Sequence, residues 1–453
     1  MEIHFLGATG TVTGSKYLIA TGEKKILIDC GLFQGLKQLR LRNWARLPID
    51  PAAVDAVILT HAHIDHSGYL PFFVKHGFSG KVYCSAVTKQ LCDILLPDSA
   101  HLQEEEAKYA NRKGYSKHKP ALPLYTQAEA QQALRLLEPV DFHEDVDLGR
   151  EVRFRLARSG HILGSAIVSL CANDRVIAFS GDLGRPDDAI MRGPEVIARA
   201  DFVVVESTYG NRLHSHEDPT PVIGAILNRT FERGGVVVMP AFAVGRAQTL
   251  MYYIARLKAA GTIPGSVPVY LNSPMAAEVT HIFHDHLDEH RLDVQACEAT
   301  CAAAKIVASV EDSKRLNSQK GPMVIISASG MAAGGRVLHH IEAFAPDPRN
   351  TLLFAGFQAA GTRGAAIVAG AEAVKIHGAY VPIRAEVANL ENLSAHADCS
   401  QVIEWLRHFE RAPRAAFITH GEPTAADGLR LRIKDQLGWS CSVPEYLDTR
   451  TLD

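Results

Sequence analysis

The 453-residue chain has no uninterrupted apolar stretch long enough to cross a bilayer, although 47% of its residues are hydrophobic. That excludes an integral helical membrane protein. Its opening, Met1-Glu2-Ile3-His4-Phe5-Leu6-Gly7, lacks the basic region and apolar core of a secretory signal, so a cytoplasmic protein is expected. Cysteine is sparse: Cys30, Cys84, Cys92, Cys171, Cys297, Cys301, Cys399 and Cys441 are scattered, and only Cys297 and Cys301 are close neighbours. They read as reduced, mostly buried thiols rather than a disulfide framework. A zinc knuckle on Cys297 and Cys301 lacks two further ligands at matching spacing. Low-complexity segments and strict repeats are absent too. Net charge is only −3, which does not advertise a nucleic-acid binder, although local charge in a groove is the quantity that matters. One stretch is basic: Lys108, Arg112, Lys113, Lys117, His118 and Lys119, with Tyr109 and Tyr115 interleaved. The preceding Glu104-Glu105-Glu106 favours a solvated face there.

What the chain does have is His61-Ala62-His63-Ile64-Asp65-His66, directly after the apolar run Val54–Thr60. That run reads as a buried strand, so the cluster sits on the loop at its carboxyl end. Neutral imidazole and carboxylate ligate zinc well. Crowding them together without a cation leaves polar groups poorly satisfied.

The length suffices for two domains, or one domain with a large insertion. Short strands at Ile3–Leu6, Ser15–Ala20 and Lys25–Asp29 precede the cluster. A helix follows at Tyr69–Lys75 and a strand at Lys81–Cys84. Residues 86–138 are mostly helical in pattern, and strands return at 151–157, 166–171, 175–180 and 203–206. From about residue 209 the rhythm becomes strand–loop–helix: strands at Gly235–Met239, Val267–Leu271, Met323–Ser327 and Thr351–Phe357, helices at Ala247–Lys258 and Arg336–Phe344. Such alternation predicts a mostly parallel α/β sheet. Residues 209–385 are therefore expected to form a second domain, inserted between 1–208 and 386–453.

Polar residues end the apolar runs repeatedly. Asp29 ends Ile26–Ile28, His161 lies in Ser159-Gly160-His161-Ile162-Leu163-Gly164, Asp182 follows Val176–Gly181, Glu206 follows Val203–Val205, and His420 follows Ala416–Thr419. Seven candidate ligands (His61, His63, Asp65, His66, His161, Asp182 and His420) are too many for one open tetrahedral zinc. They suit two metals with one bridging carboxylate, a pair able to activate water and clamp an in-line phosphoryl displacement. Histidine and aspartate without cysteine favour zinc and leave manganese or iron open.

These residues resemble the motifs of the metallo-β-lactamase superfamily, and within it the β-CASP nucleases. The superfamily's motifs match Asp29, His61-x-His63-x-Asp65-His66, His161, Asp182 and His420. The β-CASP additions match Glu206 in Glu206-Ser207-Thr208-Tyr209-Gly210, His396 in Ser394-Ala395-His396-Ala397-Asp398, and His420 in Thr419-His420-Gly421-Glu422. The likeness covers essentially the whole chain and is closest to bacterial and archaeal relatives of the pre-mRNA 3′-end processing endonuclease. It implies an α/β fold, an αββα metallo-β-lactamase sandwich with an inserted β-CASP cap domain. It further implies one zinc on His61, His63 and His161, another on Asp65, His66 and His420, and Asp182 bridging. A hydroxide between the metals is then the nucleophile, with Asp65 and Asp182 among the catalytic residues. His396, oriented by Glu206, is the general acid, and Asp29 fixes ligand geometry without binding metal. The implied activity is hydrolysis of single-stranded RNA, endonucleolytic, with 5′→3′ exonuclease action left open. Family members often dimerise, so a homodimer is an expectation.

The cap is expected to supply the RNA groove. Two glycine-rich strand-to-helix turns, Ser327–Arg336 and Pro240–Arg246, offer backbone N–H groups for phosphate, with Ser329, Gly330, Arg336 and Arg246 as substrate contacts. The rival readings are a DNA nuclease or a small-molecule ester or thioester hydrolase on the same dinuclear site. A third, an inactive scaffold, is disfavoured because every ligand is present.

Overall fold

Short β-branched and aliphatic runs bounded by glycine build most of the molecule. The computed structural model describes every residue except Tyr115, and Asn392 by its backbone alone. The tyrosine of the basic stretch therefore lies outside the described residues. The chain divides into two units, one of Met1–Leu213 with His396–Asp453 and one of His214–Ala395.

The first unit holds two seven-stranded sheets. One orders Thr449–Thr451, Glu2–Phe5, Tyr17–Ala20, Lys25–Ile28, Ala56–Ile58, Lys81–Ser85 and Leu137–Val140. The other orders Cys441–Ser442, Ala415–Thr419, Phe202–Glu206, Arg175–Phe179, Ala166–Ala172, Val152–Arg158 and Val146–Gly149. Alternation decides how they pack. Ile3, Phe5, Ile26, Ile28 and Ile58 from the first sheet meet Phe154, Leu156, Val168, Leu170, Phe179, Val204 and Phe417 from the second in one core. The opposite faces, Val203, Val205, Ala416 and Ile418, pack on helices Cys399–Arg407 and Pro423–Leu437 through Val402, Leu406, Leu429 and Ile433. Helix Ala86–Lys113 lies against the far end of the first sheet. The layers are helix, sheet, sheet, helix. The stretch expected to stay helical to residue 138 breaks after the helix Gln127–Leu134, and Leu137–Val140 joins the sheet as an edge strand that tolerates Pro139.

The second unit carries a six-stranded, all-parallel sheet: Lys305–Ile306, Val269–Leu271, Met323–Ser327, Val236–Pro240, Thr351–Ala355 and Glu386–Leu390. Its central strands are buried along their whole length, as strands covered on both faces must be. Residue 386, expected to begin the returning part of the first domain, opens the last strand of this sheet. Glu386–Leu390 pairs with Thr351–Ala355 and so stays in the second unit. It is a half-buried edge strand, whose sequence offers no apolar run to mark it.

Candidate metal centre

In the first unit the strand-ending residues gather along one edge of the two sheets. Asp29 follows Lys25–Ile28, His61 and His63 follow Ala56–Ile58, Asp182 follows Arg175–Phe179, and His420 follows Ala415–Thr419. Asp65 and His66 sit on the short helix Ile64–Ser67. That helix is pressed against the strand end before it: Cys30 N donates to His66 O at 2.7 Å and Leu32 N to Ile64 O at 2.9 Å. Only glycine fits between, because a Cβ on Gly31 would fall 1.6 Å from Asp65 O. Asp29 and His420 hold left-handed φ values of 59° and 48°, a conformation costly for non-glycine residues and typical of functional sites. Asp29 N is tied to Ile58 O and His420 N to Ala8 O.

The ligand-type atoms form two sets. In one, His63 Nδ1 lies 3.1 Å from His61 Nε2 and 3.2 Å from His161 Nε2. Asp182 Oδ2 lies 3.5 Å from both His61 Nε2 and His161 Nε2. In the other, His66 Nε2 is 3.1 Å from His420 Nε2, and Asp65 Oδ2 is 3.5 Å from His420 Nε2. Asp182 Oδ1 lies 3.3 Å from His66 Nε2. A tetrahedral ion with bonds near 2.05 Å sets its ligand atoms about 3.3 Å apart, so the first set has the edges of such a tetrahedron. Asp182 turns one oxygen to each set. Its Oδ1 accepts no hydrogen bond although buried, and His161 Nδ1 is likewise buried without a partner. The residues fit a divalent cation.

Protonation agrees with that fit. Burial, with the neighbouring His66, holds His61 well below the ordinary histidine value. Burial and His396 do the same to His161, and burial brings His63 down to about 4. These three rings are neutral, the state in which imidazole ligates. Burial opposes charge on Asp182 and Asp65. For Asp182 the histidines His420 and His66 outweigh it, and for Asp65 the hydrogen bond from His420 does, so both carboxyls lie below their ordinary range. His66 also feels burial, but Asp182 and Asp29 raise it well above the usual value. Ion binding at that end is therefore coupled to release of a proton.

Asp29 is fully occupied by other partners. It receives Thr60 N at 2.7 Å and the Thr60 hydroxyl at 3.0 Å, and lies 2.7 Å from His66 Nδ1, which aims His66 Nε2 at Asp182. Such carboxylate–histidine pairs fix the tautomer and orientation of a ligand ring. The sequence reading passed over Thr60 and Thr208, whose hydroxyls lie 3.1 Å from His61 Nδ1 and 3.2 Å from His420 Nδ1. Their signal was local: a hydroxyl residue directly before His61, and one two places after Glu206.

His396 stands beside this centre, placed by a bridge to Gly184 and by Ala397 N donating to Leu183 O. Its Nδ1 is 3.0 Å from Glu206 Oε1 and 4.0 Å from Asp182 Oδ2, and its ring packs on His161 with centroids 4.4 Å apart. Glu206 is itself fixed, accepting from Leu183 N and Thr208 N. Burial lowers the His396 pKa, but Glu206 and Asp182 overcome it and leave it above the ordinary histidine value.

The residues expected to touch RNA in the second unit also have partners within the protein. Arg336 Nη1 donates to Asn272 Oδ1 at 2.9 Å and Val307 O at 3.0 Å, and Nη2 to Ala308 O at 2.6 Å. It is a strut across the sheet edge. Gly330 is likewise explained by packing, since a Cβ there would meet Phe242 at 2.6 Å. The Ser329 hydroxyl accepts from Ala333 N, and Arg246 is buried at the first turn of its helix, beside Gly356. A further convergent trio, His339, Glu342 and His377, is exposed; His377 lies 3.2 Å from Glu342 and stacks on His339. All eight cysteines are free thiols. Among the described residues, no helix is long and apolar enough to cross a membrane.

Fold and centre together define a metal-dependent hydrolase of the metallo-β-lactamase type. The sequence pattern of the Metallo-beta-lactamase superfamily matches residues 9–223, that of the Beta-Casp domain 247–367, and that of the Zn-dependent metallo-hydrolase RNA specificity domain 380–444. Ribonuclease TTHA0252 of Thermus thermophilus is 37% identical over 429 residues, 93% of either chain. Transcription termination factor FttA of Methanosarcina mazei is 32% identical, over 96% of this chain and 69% of that protein. A crystal structure of an Enterococcus faecalis protein of unknown function shares the fold, with a TM-score of 0.52 at 13% identity across 99% of each chain. The chain belongs to the β-CASP family of the metallo-β-lactamase superfamily.

Proposed function

We propose that the protein is a ribonuclease that hydrolyses phosphodiester bonds of single-stranded RNA, cutting internally, at a centre for two zinc ions. The observation that carries this reading is Asp182, whose two oxygens each face a separate ligand set while His396 stands 4.0 Å away. His61, His63 and His161 would hold one ion and Asp65, His66 and His420 the other, with Asp182 shared. Bound there, the pair would lower the pKa of water and neutralise charge developing on the phosphoryl oxygens.

The chain's own residues supply the rest. With Nδ1 engaged by Glu206, His396 presents Nε2–H toward substrate. As the bond from phosphorus to the leaving oxygen breaks, that proton passes to the oxygen. Glu206 and Asp182 keep the ring protonated until then, and Asp29 and Thr60 keep the ligand rings from turning. RNA rather than DNA or a small ester is supported by the match to an RNA specificity domain and by the ribonuclease among the relatives.

The test is cleavage of end-labelled single-stranded RNA, matched DNA and a thioester by the metal-loaded protein. His396→Ala should lower RNA cleavage about 10²- to 10⁴-fold while metal content stays at the wild-type value. Undiminished cleavage would remove His396 from the reaction. Turnover of the thioester with none of RNA would overturn the reading as a whole.

A further inference from the structure

We propose that Leu36–Arg46, the segment leaving the metal centre, is a track for single-stranded RNA, with Trp44 as a stacking platform. The proposal rests on the ribonuclease reading and gives that site its approach surface. Between Asp29 and Asp50 there is no acidic residue, whereas Lys37, Arg40, Arg42 and Arg46 fall within ten positions. In a chain of net charge −3, that is a concentrated basic patch. Among the described residues none of these four side chains meets a carboxylate, whereas Lys108 of the other basic stretch is paired with Glu105.

Location connects the segment to the chemistry. Its stem is Cys30–Leu32, the backbone hydrogen-bonded to His66 and Ile64 in the ligand loop. Beyond the stem the loop is braced from beneath. The Asn43 side chain closes it by accepting from Phe33 N and donating to Phe33 O, and Leu39 is buried. The Arg42 guanidinium lies 4.1 Å from the Tyr446 ring centre and 5.4 Å from that of Phe33. The bracing leaves one face outward, with Trp44 56% and Leu41 57% exposed and Lys37, Arg40 and Arg46 beside them.

An exposed tryptophan on a rigid loop loses apolar burial that folding elsewhere secures. Base stacking with flanking phosphate contacts is the chemistry that uses it, and every base offers a π-face. A protein partner fits less well, because charged residues are depleted at the core of protein interfaces. Here three exposed cations, Lys37, Arg40 and Arg46, lie within seven positions of the aromatic.

The experiment measures binding of a fluorescent single-stranded oligoribonucleotide to the full-length, metal-loaded protein carrying His396→Ala, so that the probe survives. Adding Trp44→Ala should weaken binding about tenfold, within the range for one lost stack, and Trp44→Phe should restore most of it. Replacing Arg40 and Arg46 together by Ala should flatten the slope of log affinity against log salt by about 1.4, two contacts at roughly 0.7 each. In the otherwise unaltered enzyme, Trp44→Ala should leave turnover of bis(p-nitrophenyl) phosphate unchanged, showing an intact centre. Unchanged RNA affinity and salt slope in these variants would overturn the track. So would a loss of self-association with RNA affinity intact, which would assign the face to a second copy of the chain. Because binding is the readout, a protein that cuts no RNA sinks the ribonuclease reading, while the track is still judged by these affinities.

Discussion

Both units present the carboxyl ends of parallel strands, and they fill those edges with different chemistry. In the first unit the edge carries Asp29, Asp182, Glu206 and a ring of buried histidines. In the second, the strands ending at Leu271 and Pro240 lead into the buried neutral side chains Asn272, Ser273 and Gln248 and into the cation Arg246, with no buried carboxylate among them. One histidine separates the two cases well. His340, buried between Asn272 and Asn317 with no carboxylate partner among the described residues, is pushed down to about 4 by burial and by His339. His66 is as deeply placed and His396 is 17% exposed, and carboxylates hold both above the ordinary value. Burial lowers a histidine, as it does for His61 and His161 with Asp182 beside them; two carboxylates, Asp182 with Asp29 or Asp182 with Glu206, are what raise His66 and His396. Parallel strands supply the scaffold in both units, and the carboxylates decide which edge does chemistry.

The sharpest way to break that comparison is Asp182→Asn. On the proposed reading Asp182 is shared by both ligand sets, so metal analysis should show loss of bound ion from both, and cleavage should fall to background. Retention of full metal and turnover would refute the shared role. A smaller effect is expected from Asp29→Asn, which keeps the shape and weakens the hold on His66. Metal affinity should fall about 10- to 100-fold, read by competition with a chromogenic chelator. The smallest belongs to the second unit. Arg336→Gln removes a strut from Val307 O, Ala308 O and Asn272, and should cost about 1–3 kcal/mol in denaturant unfolding with kcat unchanged. A large loss of kcat there would erase the distinction between the two edges.

The candidate metal edge was readable in the chain because its ligand-type residues come directly after apolar runs, a local pattern that survives folding intact. His61, Asp182 and His420 each sit within three residues of the strand that carries them. What could not be read depended on distant partners. Arg336 lies in a glycine-rich turn that suits a phosphate, but the carbonyls it binds come from residues 307 and 308, nearly thirty positions earlier. The helices Thr220–Glu232, Pro274–Asp285 and Val294–Cys301 were passed over, although Ser273 and Asp293 cap two of them. The pairing of Glu386–Leu390 with Thr351–Ala355 could not be read because edge strands carry little apolar signal. Trp44 was missed for a different reason: its meaning lies in the missing acids around it, and absence over twenty residues is easily overlooked.

The bond between Glu206 and His396 spans 190 positions of chain, and the contact of His66 with His420 spans 354. A ribosome making this protein finishes His61, His63, His161 and Asp182 well before it reaches His396. At about 5–20 residues per second, the interval between Glu206 and His396 lasts roughly 10–40 seconds. Throughout that time the emerging chain carries His61, His63, His161, Asp182 and Glu206, but neither His396 nor His420. Because His396 and His420 follow the inserted unit, the candidate centre is completed only after that unit has been made.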